Sequence, residues 1–209
     1  MTCLKNIIGE FFNLEYLPLP NWLEPKIKSE NAILSSYLWT SSNVEKIRLC
    51  ELKITDKFYA ESLLIYPKKK SLLPIFGTEF LNIGNRKYFG AIDFHPVCKN
   101  KLYLKYLEDF PNTKETNLKR YDVNRFFSEK LWIKKSNKDF YSEYCIWAKC
   151  YLYQYKKMVE CENPENPVDT DSFAEYNEYM SSNDPAFGIL KSYFNEHFAE
   201  DYINQFLFY

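Results

Sequence analysis

The chain has 209 residues, of which 46% are hydrophobic and 19% aromatic, and its formal net charge is -1. This length and apolar content are enough to bury the core of one domain. A net charge near zero gives no general attraction for nucleic acid or for an anionic membrane, so we expect neither as a partner.

The cysteines and histidines do not have the spacing of a metal-binding motif. The six cysteines include no CxxC pair, and the chain has only two histidines. A structural zinc site or an iron–sulfur cluster is therefore not expected. No apolar run approaches the length of a membrane-spanning helix, and the N-terminus lacks the pattern of a secretory signal. We expect a soluble, cytoplasmic protein with reduced cysteines.

The first half of the chain predicts one helix followed by an antiparallel sheet. Apolar residues recur at helical spacing between Leu4 and Asn13, and a proline-rich segment follows. Five sequential strand-like runs, joined by short links, then predict a meander. They lie at residues 33–40, 44–54 and 58–66 and in a hairpin over 75–94 with its turn at Gly84-Asn85.

The second half predicts helices around one short strand. The expected helices are 102–110, a turn capped by Asp122 and reaching Phe127, 138–160, 172–180, one in which Asp184 is the N-cap and Pro185 the first residue, and 198–207. The sixth strand is expected at 131–133, a surface loop at 162–171 and a helix break at 181–183. Helices before and after the sheet predict one domain over residues 1–209, of the α+β class, with the sheet covered on both faces in three layers.

The hairpin places a carboxylate in an apolar row. Because side chains alternate along a strand, Glu79 shares a face with Ile75 and Leu81. An unpaired ionised carboxylate there would cost several kcal/mol, so Glu79 should be protonated, be partnered or line a cavity. The alternative is that Glu79 lies on the outer face of an edge strand and that Asp93 merely ends the next strand.

Carboxylates are the only side chains for which the sequence suggests a chemical role. The chain has no glycine-rich phosphate loop and no nucleophile elbow. The candidates are Glu79, Asp93 and Asp184, together with Glu51 and Glu61 in strands. Asp184 has a simple alternative as a helix cap. Carboxylic acids with raised pKa values in an aromatic-walled cavity would suit proton donation to a large planar substrate.

Several motifs, in this order and spacing, resemble the ferredoxin-dependent bilin reductases. They are Leu17-Pro18-Leu19-Pro20, Ser36-Tyr37-Leu38-Trp39, Ile65-Tyr66-Pro67, Leu73-Pro74-Ile75-Phe76-Gly77, Ile92-Asp93-Phe94-His95-Pro96, Asn183-Asp184-Pro185-Ala186-Phe187-Gly188 and Phe206-Leu207-Phe208. The resemblance implies a three-layer α/β/α sandwich with a six-stranded antiparallel sheet and a bilin between the sheet and the C-terminal helices. It also implies an enzyme with no bound cofactor, a monomer that takes electrons from reduced ferredoxin and protons from carboxyl groups.

The resemblance assigns site residues by position. The acid after Phe-Gly-x falls on Glu79, and the acid before Pro falls on Asp184. Ser62 stands where relatives carry His or Asn, and Glu51 matches a further acid of the phycocyanobilin branch. Glu79 replaces the usual Asp. Lys68 to Lys70 could help to dock an acidic ferredoxin.

The implied reaction is the reduction of biliverdin IXα, first at the C15 methine bridge to 15,16-dihydrobiliverdin. A second reduction step would give phycoerythrobilin. Dihydrobiliverdin itself is the other substrate considered. A rival hypothesis is a non-catalytic bilin or haem carrier, a degenerate relative in which Glu79 and Ser62 reflect lost chemistry. A third is a structural domain that binds no tetrapyrrole.

Overall fold

The computed structural model describes residues 3–68, 73–97, 102–112, 121–161 and 171–209. The strands are β1 (Glu15–Tyr16), β2 (Lys26–Lys28), β3 (Ala32–Ser41), β4 (Val44–Ile54), β5 (Phe58–Pro67), β6 (Ile75–Ile83), β7 (Lys87–His95) and β8 (Trp132–Ser136). The helices are α1 (Cys3–Phe11), α2 (Val123–Phe126), α3 (Tyr141–Cys161), α4 (Asp171–Asn183), α5 (Ala186–Tyr193) and α6 (Glu196–Tyr202), with a 3-10 helix at Leu102–Tyr106 and a π-helical turn at Ile203–Leu207.

All eight strands belong to one antiparallel sheet with the order β1-β3-β4-β5-β6-β7-β8, and β2 also pairs with β3. The predicted meander and the α+β class are confirmed. The expectation of six strands was too low, because β1 and β2 have only two and three residues and are too short to show a periodic pattern. Gly84 and Asn85 form the β6–β7 turn with φ values of 61° and 54°, as the hairpin prediction required.

Alternating side chains divide the strand residues between two cores on opposite faces of the sheet. On one face, Leu49, Leu63 and Phe80 pack with residues of α1 and α3. We call this the α3 face. On the other, Leu34, Leu52 and Leu64 pack with residues of α4 to α6 and the π-helical turn. We call this the C-terminal face.

Aromatic rings fix α3 to the sheet. The Phe80 ring centroid lies 4.8 Å from that of Tyr141, 5.1 Å from that of Tyr144 and 5.5 Å from that of Phe140. The Tyr144 hydroxyl also forms a hydrogen bond of 2.9 Å with the Thr78 hydroxyl. Phe80 and Thr78 therefore face α3, and the intervening Glu79 faces the other way.

Two predicted features of the C-terminal helices were wrong. Residues 181–183 continue α4, because Ser181 donates to the Glu178 carbonyl (3.1 Å) and the Asn183 amide donates to the Tyr179 carbonyl (2.7 Å). Their side chains thus bond within the helix instead of ending it. Pro185 is the N-cap residue of α5 and not its first helical residue.

Other helix boundaries also differ from the predicted ones. Only Leu102–Tyr106 is helical in the segment predicted as helix 102–110, and it is a 3-10 helix. Helix α3 begins at Tyr141 and not at Lys138, since the Tyr141 amide donates to the Asp139 carboxylate at 2.8 Å. The predicted loop at 162–171 lies outside the described residues, apart from Asp171, which begins α4. Two residues of Lys68 to Lys70 also lie outside them.

Cys50, Cys150 and Cys161 are free thiols, but Cys145 is disulfide-bonded, so the expectation of uniformly reduced cysteines was wrong. Cys145 lies on α3, which packs against α1 closely enough to bring side chains of the two helices together.

None of the helices in the described ranges combines the length and the apolar character needed to cross a bilayer.

Removal of the Phe80 ring should destabilise the fold strongly. Because Phe80 is 2% exposed and contacts three aromatic rings of the α3 face, Phe80→Ala should cost about 3–5 kcal/mol in the free energy of unfolding. Ile146→Ala on α3 is the control, since Ile146 is 64% exposed and its truncation should change stability by less than about 0.5 kcal/mol. Equal losses for the two variants in urea unfolding would contradict this packing.

Candidate active site

The C-terminal face contains two adjoining cavities of about 100 and 110 Å³ between the sheet and the C-terminal helices. Ser62, Glu79, Asp184 and Pro185 line both of them. The first cavity extends along β6 and β7 to Asp93, His95, Tyr121 and Phe127, and the second extends to Cys50, Leu190 and Tyr202. The structure therefore brings three of the four predicted site residues together.

Strand register explains why Ser62 and Glu79 meet. Ser62 pairs directly with Glu79, and on its other side Ser62 pairs with Cys50. Directly paired residues of antiparallel strands point to the same face with Cβ atoms about 5 Å apart. Cys50, Ser62 and Glu79 thus form one row across the floor of the cavities.

Glu79 lies on a central strand and not at an edge. Strand β6 pairs with both β5 and β7, and Glu79 lines the cavities, so the edge-strand alternative is wrong. Burial and, to a smaller extent, the nearby charge of Asp184 together raise the pKa of the Glu79 carboxyl to about 8. At neutral pH, Glu79 is accordingly a largely neutral carboxylic acid.

Asp184 combines a capping role with a place in the site. Its carboxylate accepts a hydrogen bond of 2.7 Å from the Ala186 amide at the start of α5, although Pro185 and not Asp184 is the N-cap residue. The same side chain lines both cavities, opposite the sheet. The start of α5 thus holds a second carboxyl group near Glu79, and the two groups influence each other's charge.

Asp93 is a third carboxyl group of the first cavity, and the sequence named it as a candidate without giving it a site role. The Ser128 amide donates to its carboxylate at 2.8 Å, and the Ser128 hydroxyl donates to its other oxygen. Burial raises the pKa of Asp93 to about 8, although both hydrogen bonds oppose the shift. Asp93 holds the segment after α2 against the end of β7.

His95 is a site residue that the sequence reasoning missed. Its Nδ1 lies 3.0 Å from the Phe126 carbonyl oxygen, and the Phe127 ring packs edge-on against the imidazole with centroids 5.0 Å apart. Burial lowers the pKa of His95 to about 4, so the ring is neutral at pH 7. Its two-residue spacing from Asp93, which predicts a shared sheet face, was the signal that could have revealed it.

Glu51 does not join this site. It lies on the α3 face, paired with Glu61, and lines a separate cavity of about 460 Å³ with Tyr59 and Tyr141. This larger cavity lies at one end of the sheet, and charged side chains, including Lys26, Lys53, Asp56 and Lys57, line part of it. The structure therefore does not bring Glu51 together with the other predicted site residues, because Cys50 is the residue of β4 that pairs with Ser62.

Glu61 also belongs to the α3 face. It is fully buried and accepts a hydrogen bond of 3.1 Å from the Tyr59 hydroxyl. Burial raises its pKa to about 7. Within the described residues, no group of three or more His, Cys, Asp or Glu side chains is arranged to hold a metal ion.

Comparison with known proteins identifies the family. The model of the ferredoxin-dependent bilin reductase family matches residues 1–209. The chain belongs to this family. It is therefore an oxidoreductase of the bilin reductase type.

Two similar relatives are 15,16-dihydrobiliverdin:ferredoxin oxidoreductases. The protein from Gloeobacter violaceus is 27% identical over 223 aligned positions, which cover 98% of this chain and 91% of the relative. The protein from Nostoc punctiforme is 28% identical with the same coverage. Among solved structures, tomato phytochromobilin synthase in complex with biliverdin matches with a TM-score of 0.75 and 19% identity, over 99% of this chain and 80% of that one. That likeness supports the fold.

The raised pKa of Glu79 predicts a loss of stability with rising pH. The unfolded chain releases this proton near pH 4.3, whereas the folded chain keeps it up to about pH 8, so the folded state binds more protons between these values. The free energy of unfolding should therefore fall as the pH rises through this window. Glu79→Gln should show a smaller fall, measured by urea unfolding at about pH 5 and about pH 9.

Glu178→Gln, at an exposed position of α4, is the matched control and should keep the wild-type pH dependence. Asp93 and Glu61 retain their own contributions in both variants, since burial also raises their pKa values. An unchanged pH dependence in Glu79→Gln would show that Glu79 is ionised in the folded protein.

Proposed function

We propose that the chain reduces biliverdin IXα with electrons from reduced ferredoxin, first at the C15 methine bridge to give 15,16-dihydrobiliverdin. The observation that carries the proposal is that Glu79 and Asp184 line the same cavities, where burial raises the pKa of the Glu79 carboxyl to about 8. The family model over the whole chain and the named activity of the two relatives support this substrate class. We also propose the three-layer α/β/α sandwich, with the bilin between the sheet and the C-terminal helices.

The reaction requires two electrons and two protons for each reduced double bond. Glu79 protonates the bound bilin, which makes the bilin easier to reduce, and ferredoxin then supplies one electron to form a neutral bilin radical. Asp184, on the opposite side of the cavity, takes up a proton from solvent and passes it to the bilin as the second electron arrives. No bound flavin or metal takes part in this scheme, because each electron passes directly from ferredoxin to the bilin.

Binding a tetrapyrrole requires the cavities to widen. The two cavities, of about 100 and 110 Å³, are smaller than the roughly 300–1,000 Å³ of sites that hold drug-sized ligands. Asp184 and Pro185 line both of them from the helical side. We propose that the start of α5 moves away from the sheet when the bilin binds, which joins the two cavities and keeps Asp184 against the ligand.

Two features of the cavity floor favour the C15 reaction over one that uses additional pocket acids. Ser62 stands where relatives carry His or Asn, and Cys50, which pairs with Ser62, carries no carboxyl group. Burial raises the pKa of the Cys50 thiol to about 12, so Cys50 remains a thiol at neutral pH. The protonating groups nearest this part of the floor are Glu79 and Asp184.

The family assignment supports ferredoxin as the partner. We propose that an acidic ferredoxin docks on basic side chains, with Lys68 to Lys70 as a candidate cluster, and that the protein acts as a cytoplasmic monomer. Charge complementarity of this kind raises the association rate more than the affinity.

A non-catalytic bilin carrier is the second candidate. It is favoured by the same departures, Glu79 in place of Asp and Ser62 in place of His or Asn, since both alter the groups that face the bilin. A carrier would bind biliverdin without reducing it.

Turnover under anaerobic conditions separates the two candidates. The protein is incubated with biliverdin IXα, ferredoxin and a reducing system, and the visible spectrum is followed before the products are separated. We expect a blue-shifted product identified as 15,16-dihydrobiliverdin, and the product analysis decides whether phycoerythrobilin follows. A bound biliverdin spectrum that does not change when electrons are supplied would establish the carrier.

Glu79→Gln should retain biliverdin binding but reduce turnover by at least about 100-fold, because the amide cannot donate the first proton. Single-turnover spectra should show either no reduction or an accumulated radical. Glu51→Gln carries the same substitution on the α3 face and should turn over at the wild-type rate. Wild-type turnover in Glu79→Gln would remove Glu79 from the mechanism.

A further inference from the structure

We propose that His95 is a substrate-binding residue whose Nε2 accepts a hydrogen bond from a pyrrole or lactam N–H of the bilin. This inference rests on the proposed function, since it names a further contact within the same site. It concerns the floor of the first cavity, where His95 lies on the same sheet face as Glu79.

The hydrogen bond to Phe126 fixes the tautomer of His95. A backbone carbonyl oxygen can only accept, so Nδ1, which lies 3.0 Å from the Phe126 oxygen, must carry the proton. In a neutral imidazole the other nitrogen then has a free lone pair. Because burial keeps the ring neutral at pH 7, Nε2 is an acceptor and not a donor.

The absence of a side chain at Gly77 leaves room for the imidazole of His95 on the cavity floor. A Cβ atom at position 77 would lie 2.2 Å from Nε2 and 2.7 Å from Cδ2 of His95, so the imidazole fills the space of the missing side chain. Gly77 lies two residues before Glu79 on the same face of β6, and their Cα atoms are about 7 Å apart at the usual rise of a strand. Nε2 and the Glu79 carboxyl therefore lie within the span of one ligand.

Glu79 and His95 have opposite hydrogen-bonding roles in the cavity. Glu79 can donate a proton, whereas the Nε2 atom of neutral His95 can only accept one. No hydrogen bond joins Nε2 to another side chain of the described residues. The N–H groups of a linear tetrapyrrole are donors that need acceptors once they leave water. An acceptor beside the proton donor would fix which pyrrole ring lies over Glu79.

The structural alternative is that His95 only holds the segment after α2. Asp93 already does this through two hydrogen bonds from Ser128, next to the carbonyl that His95 binds. Ser128 does not line either cavity. Ser128→Ala therefore loosens the same segment without removing a group that faces the ligand, and it is the matched control for a change at His95.

The experiment titrates biliverdin IXα into the wild type, His95→Phe and Ser128→Ala, with absorption and fluorescence quenching as readouts. We expect His95→Phe to weaken binding roughly tenfold, the loss for one buried donor left without an acceptor, and to shift the absorption band of bound biliverdin. Ser128→Ala should bind within about twofold of the wild type, with the wild-type spectrum. Equal weakening by both variants, or wild-type binding and spectrum in His95→Phe, would overturn the proposal.

A second measurement does not depend on the stability of any variant. In the wild type labelled with ¹⁵N-histidine, the Nε2 resonance of His95 should be that of an unprotonated nitrogen and should shift upfield when biliverdin binds. A purely structural His95 would keep its Nε2 resonance unchanged.

The outcomes distinguish the inference from the function on which it rests. If the wild type binds and reduces biliverdin but the His95 resonance and the His95→Phe titration show no effect, the function stands and the inference is wrong. If the wild type does not bind biliverdin, both are wrong.

Discussion

The burial of a carboxyl group on the face of a central strand is the constraint on which the rest of the site depends. Ionisation of Glu79 is costly in this position, because its carboxyl group lies between the sheet and the C-terminal helices and Asp184 adds a second carboxyl group nearby. The protein therefore keeps a neutral acid next to a cavity at neutral pH. Such a group is of little use for stability, but it is what protonation of a buried, electron-poor ligand requires.

Much of this arrangement follows from local sequence patterns. The period of two in residues 75–83 and 87–95 predicted both the hairpin and the shared face of Glu79 and its apolar neighbours, because strand alternation is a local property. The Gly84-Asn85 turn set the register of that hairpin through its positive φ angles. With that register, Asp93 also had to face the same side as Glu79.

The residues that the sequence reasoning placed wrongly depend on pairing across strands or on distant contacts. Glu51 and Cys50 are neighbours on β4, and a shift of one residue in alignment exchanges the α3 face for the C-terminal face. His95 acquires its role only through the Phe126 carbonyl, 31 residues further along the chain, and through the absence of a side chain at Gly77. The continuation of α4 through Ser181 and Asn183 depends on side chains that bond to their own helix, where composition alone favours a break.

The central claim is that Glu79 is a neutral acid in the folded protein at neutral pH. Infrared difference spectroscopy of the wild type against Glu79→Gln at about pH 7 tests it directly, because a protonated carboxyl group has a C=O stretching band that a carboxylate lacks. The account predicts such a band from Glu79, and its loss above about pH 8. Carboxylate bands from Glu79 at pH 7, with no protonated carboxyl band, would contradict it.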